Sequence, residues 1–258
     1  MNATLIAREQ WVGLDGRPST QSFTFQTPLG NEAIALGLDV VHDKLGPSES
    51  TSVNANVAYR FKVTETSKLA IGLKAGLDLW KADLAGIGDM NDPLFMSNVS
   101  NTPLPNFGIG AWWHSQKHFL GISTPRILEQ ELDESSNNID NGDVRRHFYL
   151  MGGYVFEINP IIKLKPSALF RIEENGVNSF DITANVLFID KFWLGVAFRD
   201  SESMGINASY LVQDFFRIGY AYDFQTGGLS GYNSGSHEIM LSYDFTFKKE
   251  NLLSPRYF

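Results

Sequence analysis

The chain contains no cysteine. Disulfide staples, thiolate zinc sites and cysteine nucleophiles are therefore excluded, and the absence fits an exported bacterial protein. No apolar run approaches the ~18 residues that cross a bilayer as a helix. Mean hydropathy is slightly negative, at −0.14. Basic residues are in deficit, with 21 Lys and Arg against 29 Asp and Glu and a net charge of −8. That balance argues against a nucleic-acid partner, which requires a concentrated basic surface. No signal peptide is visible, because Met1-Asn2-Ala3-Thr4-Leu5-Ile6-Ala7-Arg8 already reads as the start of a strand. Averaged hydropathy alone describes a soluble chain. Its blind spot is the transmembrane barrel, which shows lipid only every second residue.

What the chain does have is period-2 alternation. Val53, Ala55, Val57, Tyr59, Phe61 and Val63 alternate with Asn54, Asn56, Ala58, Arg60 and Lys62. Leu69, Ile71, Leu73, Ala75, Leu77 and Leu79 then alternate with Gly72, Lys74, Gly76 and Asp78. Successive strand side chains point to opposite faces, so each segment has one apolar face and one polar or small face. Helical spacing is nowhere sustained. Fourteen candidate strands follow between residues 3 and 248. Composition does not change along the chain, so it reads as one all-β, antiparallel domain over residues 1–248, with a C-terminal tail over 249–258.

The connections alternate in length. The short set is 29–31, 65–66, 116–117, 159–160, 190 and 213–214. The other set is 42–49, 84–104, 126–143, 174–177, 201–202 and 225–235, mostly longer. This asymmetry matches outer-membrane barrels, with short periplasmic turns and longer extracellular loops. The later strands are aromatic on one face, as in Phe216, Ile218, Tyr220, Tyr222 and Phe224. The opposite face mixes glycine with single charges: Lys74, Asp78, Lys163, Lys165, Arg171, Asp181, Arg199 and Arg217. A barrel lumen suits that mixture. The alternatives are a soluble β-sandwich or a lipocalin-like barrel, although a lipocalin has only eight strands.

Chemistry-bearing motifs are weak. His42, His114, His118, His147 and His237 show no metal-ligand spacing. Ser236-His237-Glu238 has the residue types of a hydrolase triad, but neighbours on a strand point apart. Phe107-Gly108-Ile109-Gly110 is followed by no helix and is no dinucleotide loop. The acidic residues Glu129, Glu131, Asp133, Glu134, Asp140 and Asp143 lack ordered calcium-loop spacing and read as a solvated loop. No catalytic residue, cofactor or metal site is assigned. Lys74, Asp78, Arg171, Arg199 and Arg217 are expected to set lumen electrostatics, and loops 84–104 and 126–143 to be external contact surfaces. On a tail read as periplasmic, Tyr257 and Phe258 are expected to contact a periplasmic partner, to be read by barrel-assembly machinery as a terminal aromatic signal, or to fold back into the barrel mouth.

A series of strings carries the reading further. They include Gln10-Trp11-Val12-Gly13-Leu14-Asp15-Gly16, Thr27-Pro28-Leu29-Gly30, Asp43-Lys44-Leu45-Gly46-Pro47 and Leu73-Lys74-Ala75-Gly76-Leu77-Asp78. Later come Tyr149-Leu150-Met151-Gly152-Gly153-Tyr154, Asp190-Lys191-Phe192-Trp193-Leu194-Gly195, Arg217-Ile218-Gly219-Tyr220-Ala221-Tyr222-Asp223 and Ser254-Pro255-Arg256-Tyr257-Phe258. In this order they resemble the PorP/SprF family of the type IX secretion and gliding machinery of Bacteroidetes. The resemblance implies a non-enzymatic barrel of the cell outer membrane that assists secretion or surface tethering of sorting-domain-bearing proteins such as adhesins. The partners it implies are outer-membrane lipid, those exported proteins and periplasmic ring components of the secretion machine. It also implies a signal peptide and a pre-strand segment upstream of Met1. The alternative is a porin-like channel for small or hydrophobic solutes.

Overall fold

The computed structural model describes residues 1–30, 33–85, 98–131, 143–173, 176–200, 203–228 and 230–245. The strands on one side of the ring are β1 (Asn2–Glu9), β2 (Ser19–Leu29), β3 (Ile34–Leu45), β4 (Ser48–Lys62), β5 (Ser67–Ala82), β6 (Val99–Ser115) and β7 (His118–Thr124). A small hairpin follows, β8 (Gln130–Glu131) with β9 (Asp143–Val144). The remaining strands are β10 (His147–Tyr154), β11 (Phe156–Glu157), β12 (Ile162–Glu173), β13 (Ser179–Phe188), β14 (Phe192–Arg199), β15 (Ser203–Val212), β16 (Phe216–Gln225) and β17 (Ser236–Asp244). β11 continues β10 beyond Val155, so the ring has fourteen staves. Every neighbouring pair is antiparallel, and β1 closes the ring on β17 from Asn2↔Asp244 to Glu9↔His237. A closed ring leaves no unpaired edge, which is the condition for a sheet in hydrocarbon.

Side-chain parity decides the two faces. Leu73 is 56% exposed on the outer surface, and Val57, Ile109, Ile122, Val196 and Ile206 share that face. The larger buried apolar side chains on the strands, among them Leu104, Phe119, Leu187, Trp193 and Leu211, lie on the opposite parity and face inward. This inverts a water-soluble protein, whose apolar side chains gather inside. Aromatic girdles mark both edges of the band. At the short-turn edge, Tyr59 meets Phe61 with centroids 4.7 Å apart, Trp113 meets His118 at 4.6 Å, and Tyr154 meets Phe156 at 4.6 Å. At the other edge Phe180 lies between Phe170 and Phe198, at 6.3 and 6.2 Å.

The short turns are built tightly. Ile189-Asp190 and Gln213-Asp214 both carry positive φ at two successive non-glycine residues. That is the type I′ signature, whose twist matches the flanking strands. One expectation is corrected at the opposite end. Residues 42–49 are not a long loop. β3 runs to Leu45, β4 starts at Ser48, and the chain turns at Gly46-Pro47, with Gly46 at φ +55°. Pairing continues there through Lys44↔Glu49. Apolar alternation stops because these strand ends have left the hydrocarbon, and parity patterning disappears with it.

Candidate functional site

The upper end of the lumen, at the long-loop side, carries a belt of ion pairs. β1 places Arg8 near its end, β17 places Glu238, β16 Asp223, β14 Arg199 and β13 Asp181. Arg8 Nη2 lies 2.5 Å from Asp223 Oδ2, and Arg8 Nη1 lies 3.3 Å from Glu238 Oε2. Arg199 Nη1 approaches the same Asp223 oxygen at 3.6 Å, while its Nε reaches Asp181 Oδ2 at 3.2 Å. Asp223 is only 8% exposed, so a carboxylate shared by two guanidiniums is what keeps its burial tolerable. β15 stands between β14 and β16 and gives way. A Cβ at Gly205 would collide with the Asp223 carboxylate. A cavity of about 40 Å³ remains, lined by Asp181, Thr183, Arg199, Ser203 and Asp223 together with Ala197 and Phe198, room enough for ordered water.

A second network lines the wall formed by β3, β4, β5 and β6. Asn54 Nδ2 donates to Asp39 Oδ2 at 2.8 Å, and Asn56 Nδ2 donates to Asp39 Oδ1 at 2.5 Å. Lys74 Nζ stands 4.0 Å from the same carboxylate. Higher up, Arg126 Nη2 donates to Asp78 Oδ2. Arg126 reaches the lumen because the chain continues alongside β6 past Thr124, where Ile127 N donates to Phe107 O at 2.8 Å. Gly108 accommodates that approach, since a Cβ there would meet the Pro125 carbonyl at 2.8 Å. Asn54, Asp78 and Asn106 are 1%, 3% and 3% exposed. Each leaves its Oδ1 without a hydrogen-bond partner, as Arg126 leaves its Nη1. Buried donors and acceptors so placed are positions at which ordered water can bridge.

The five lumen residues singled out from sequence do not form one site. Arg199 belongs to the belt, and Lys74 and Asp78 to the second network. Arg171 lies 5.9 Å over the Tyr149 ring, and Arg217 stands at the opposite end of the lumen as an electrostatic neighbour of Lys165. Lys165 in turn lies 4.9 Å over the Trp193 ring. Tyr257 and Phe258, with the rest of the 249–258 tail, lie outside the described residues, as does most of loops 84–104 and 126–143. Arg8, Arg126, Asp223 and Glu238 were not anticipated. The inward parity of Asp223 and Glu238 was readable, but no sequence signal joined them to Arg8. The inward glycines are largely filled from within the chain: Gly76 by Asn54 and Gly219 by Met240, whose Cε would lie 2.9 Å from an added Cβ.

No nucleophile and base are brought together at the positions weighed. Ser236 and Glu238 face the lumen, while His237 points outward, with its Nδ1 2.7 Å from the Tyr220 hydroxyl. His114 faces the lumen and His118 packs outward against Trp113. The arrangement is that of a polar, charge-lined interior wall.

Residues 1–243 match the model of a family described as type IX secretion system membrane protein PorP/SprF. No curated protein matches the chain. Among solved structures, the chain is similar to a FadL homologue from Pseudomonas aeruginosa, with 13% identity and a TM-score of 0.53, covering 95% of this chain and 89% of that one. It is also similar to the outer membrane protein Omp33 of Acinetobacter baumannii, with 10% identity and a TM-score of 0.52, covering 95% and 98%. At these identities the likeness shows the fold alone.

Proposed function

The chain belongs to the PorP/SprF family of type IX secretion system membrane proteins, and from that premise we propose that it assists the secretion or surface tethering of sorting-domain-bearing proteins such as adhesins. It is an outer-membrane barrel component of that system, of a non-enzymatic kind. The observation that carries the finer reading is the family match along essentially the whole barrel. The unequal ends of the barrel support it. Tight turns form the end assigned to the periplasm, where secretion-machine partners would meet it, while β3 to β6 project beyond the lipid band on the other side. Partners of this kind are the exported proteins themselves and periplasmic ring components.

Deletion of the gene is expected to remove one or a few sorting-domain proteins from the cell surface, and complementation to restore them. Unchanged display of all such proteins overturns the proposal. A second reading, a channel for small or hydrophobic solutes, draws on the charged lumen wall. Stepwise conductance of the purified barrel in planar bilayers would favour it, and silence would count against it.

A further inference from the structure

One guanidinium in the extracellular half of the lumen has no carboxylate to itself. Arg171 faces inward on β12, because its neighbours Phe170 and Ile172 lie on the exposed outer face. Among the described residues it enters no ion pair, and its guanidinium carbon lies 5.9 Å over the Tyr149 ring. The nearby carboxylates are already engaged. Asp181, on the adjacent β13, is held by Arg199 Nε at 3.2 Å, and Glu173 Oε2 lies 3.7 Å from His147 Nε2. Arg8, Arg126 and Arg199 each meet a carboxylate. Arg171 meets an aromatic ring instead.

Beside it on the same wall is apolar surface that stays open. Tyr149 pairs with Arg171 in register, and the next inward row toward the short-turn end is Trp112, Gly121, Met151 and Leu169, on β6, β7, β10 and β12. Gly121 draws that row together. A Cβ there would lie 2.6 Å from Trp112 Cε3 and 3.2 Å from Met151 Cγ. Trp112 is backed by Phe119, on which it stacks with ring centroids 5.0 Å apart. Met151 is 36% exposed although it points inward, and Tyr149, Trp112 and Leu169 are half-buried.

We propose that this wall binds an amphipathic carboxylate, a small molecule with one carboxylate and a short apolar chain. The carboxylate takes the Arg171 guanidinium, whose planar donors match it two at a time. The chain lies over Tyr149, Met151 and Leu169 toward Trp112. The two rows are two residues of strand apart, about 7 Å, which suits a short chain. One unpaired cation beside one compact patch selects such a ligand over a polyanion, which needs several cations. The site goes beyond the secretion reading and does not depend on it. Retention of a ligand on the wall requires neither surface display nor passage through the barrel.

The test is equilibrium dialysis of radiolabelled octanoate against the full barrel in lipid nanodiscs. Empty nanodiscs are the blank, and acetate and octylamine are the comparators. Octanoate alone is expected to be retained above the blank, and less so as salt rises. Arg171→Gln should weaken retention about tenfold, the scale of a lost charged hydrogen bond. Arg171→Lys keeps the charge without the fork and should fall between. Met151→Asn should weaken retention from the apolar side, and Thr24→Ala on β2 should leave it unchanged. Heat-modifiable gel mobility verifies that each variant is folded. If a variant does not fold, the comparators on the unaltered barrel still decide. Retention of octylamine equal to that of octanoate, retention no greater than by empty nanodiscs, or indifference to a folded Arg171→Gln overturns the proposal. Tighter retention of an apolar tetrapeptide with a free C-terminus would assign the wall to a polypeptide end, and would overturn it as well.

Discussion

Arg8 on β1 reaches across β17 to Asp223 on β16, with Nη2 2.5 Å from Oδ2. The two residues are 215 positions apart in the chain. Their contact lies over the seam where the first strand closes on the last, so it ties the ring at its point of greatest sequence separation.

Removing one partner of that tie should loosen the closure. Arg8→Met leaves Asp223 with Arg199 alone, at 3.6 Å, and Glu238 without its guanidinium. A loss of about 2 kcal/mol is expected, the scale of charged hydrogen bonds left unmade. Urea unfolding in vesicles, followed by heat-modifiable mobility, measures it. The double variant Arg8→Met with Asp223→Asn should recover part of the loss, because no buried carboxylate is then left short of charge.

Substitutions that face outward separate a lipid-facing surface from a water-facing one. Leu73 is already more than half exposed, so a water-soluble protein would accept Leu73→Arg with little change. A bilayer does not, and a penalty of about 2–4 kcal/mol is expected near the midplane. Thr24→Arg, on the inward face of β2, should be nearly neutral by comparison. Equal tolerance at both positions in vesicle refolding would contradict the assignment of faces.

Parity made most of the barrel legible in the sequence because the bilayer imposes it. Wherever a strand touches hydrocarbon, alternate residues must be apolar, and Leu69 to Leu79 or Ile239 to Tyr243 announce themselves. The same logic failed where strands leave the lipid. Residues 42–49 keep their pairing but carry His42, Asp43, Lys44, Ser48 and Glu49, so they resembled a loop. The lumen charges were visible one by one, but their pairing was not. Which cation meets which carboxylate depends on register between strands far apart in sequence. Arg126 was hidden further by Pro125, which interrupts the alternation that would have extended β7.

Two inward glycines should respond in opposite ways to a single methyl. A Cβ at Gly108 would sit 2.8 to 3.0 Å from backbone atoms of Pro125, which cannot swing aside. Gly108→Ala should therefore cost about 1–3 kcal/mol, the usual scale of overpacking. It should also free the segment that carries Arg126 to Asp78, raising proteolysis near residue 126. A Cβ at Gly72 meets its nearest atoms at ordinary distances of 3.7 and 3.8 Å. Gly72→Ala should be tolerated, and slightly stabilising through reduced freedom of the unfolded chain.

Glu49 offers a titration on the outer face above the lipid band. Lys81 Nζ lies 2.7 Å from Glu49 Oε2 and Lys44 Nζ lies 3.0 Å from Oε1. Hydrogen bonds from Lys81 first and Lys44 second hold its carboxyl down to about 2, from an ordinary value of 4.5. A carboxyl whose folded value is lowered contributes stability above its unfolded value and loses it as pH falls toward the folded one. The Lys44–Glu49–Lys81 triad should therefore stay intact at pH 5 and weaken progressively between pH 4.5 and 2. Carbon-13 NMR of a Glu-labelled barrel would follow the Glu49 carboxyl directly. Lys81→Gln should raise its midpoint more than Lys44→Gln does, because the Lys81 contact is shorter. An ordinary midpoint in the unaltered barrel would show that this rim is not paired in solution. The upper ends of β3, β4 and β5 would then rest on backbone pairing and the remaining side-chain contacts, such as His42 Nδ1 with Thr51 Oγ1 at 2.9 Å.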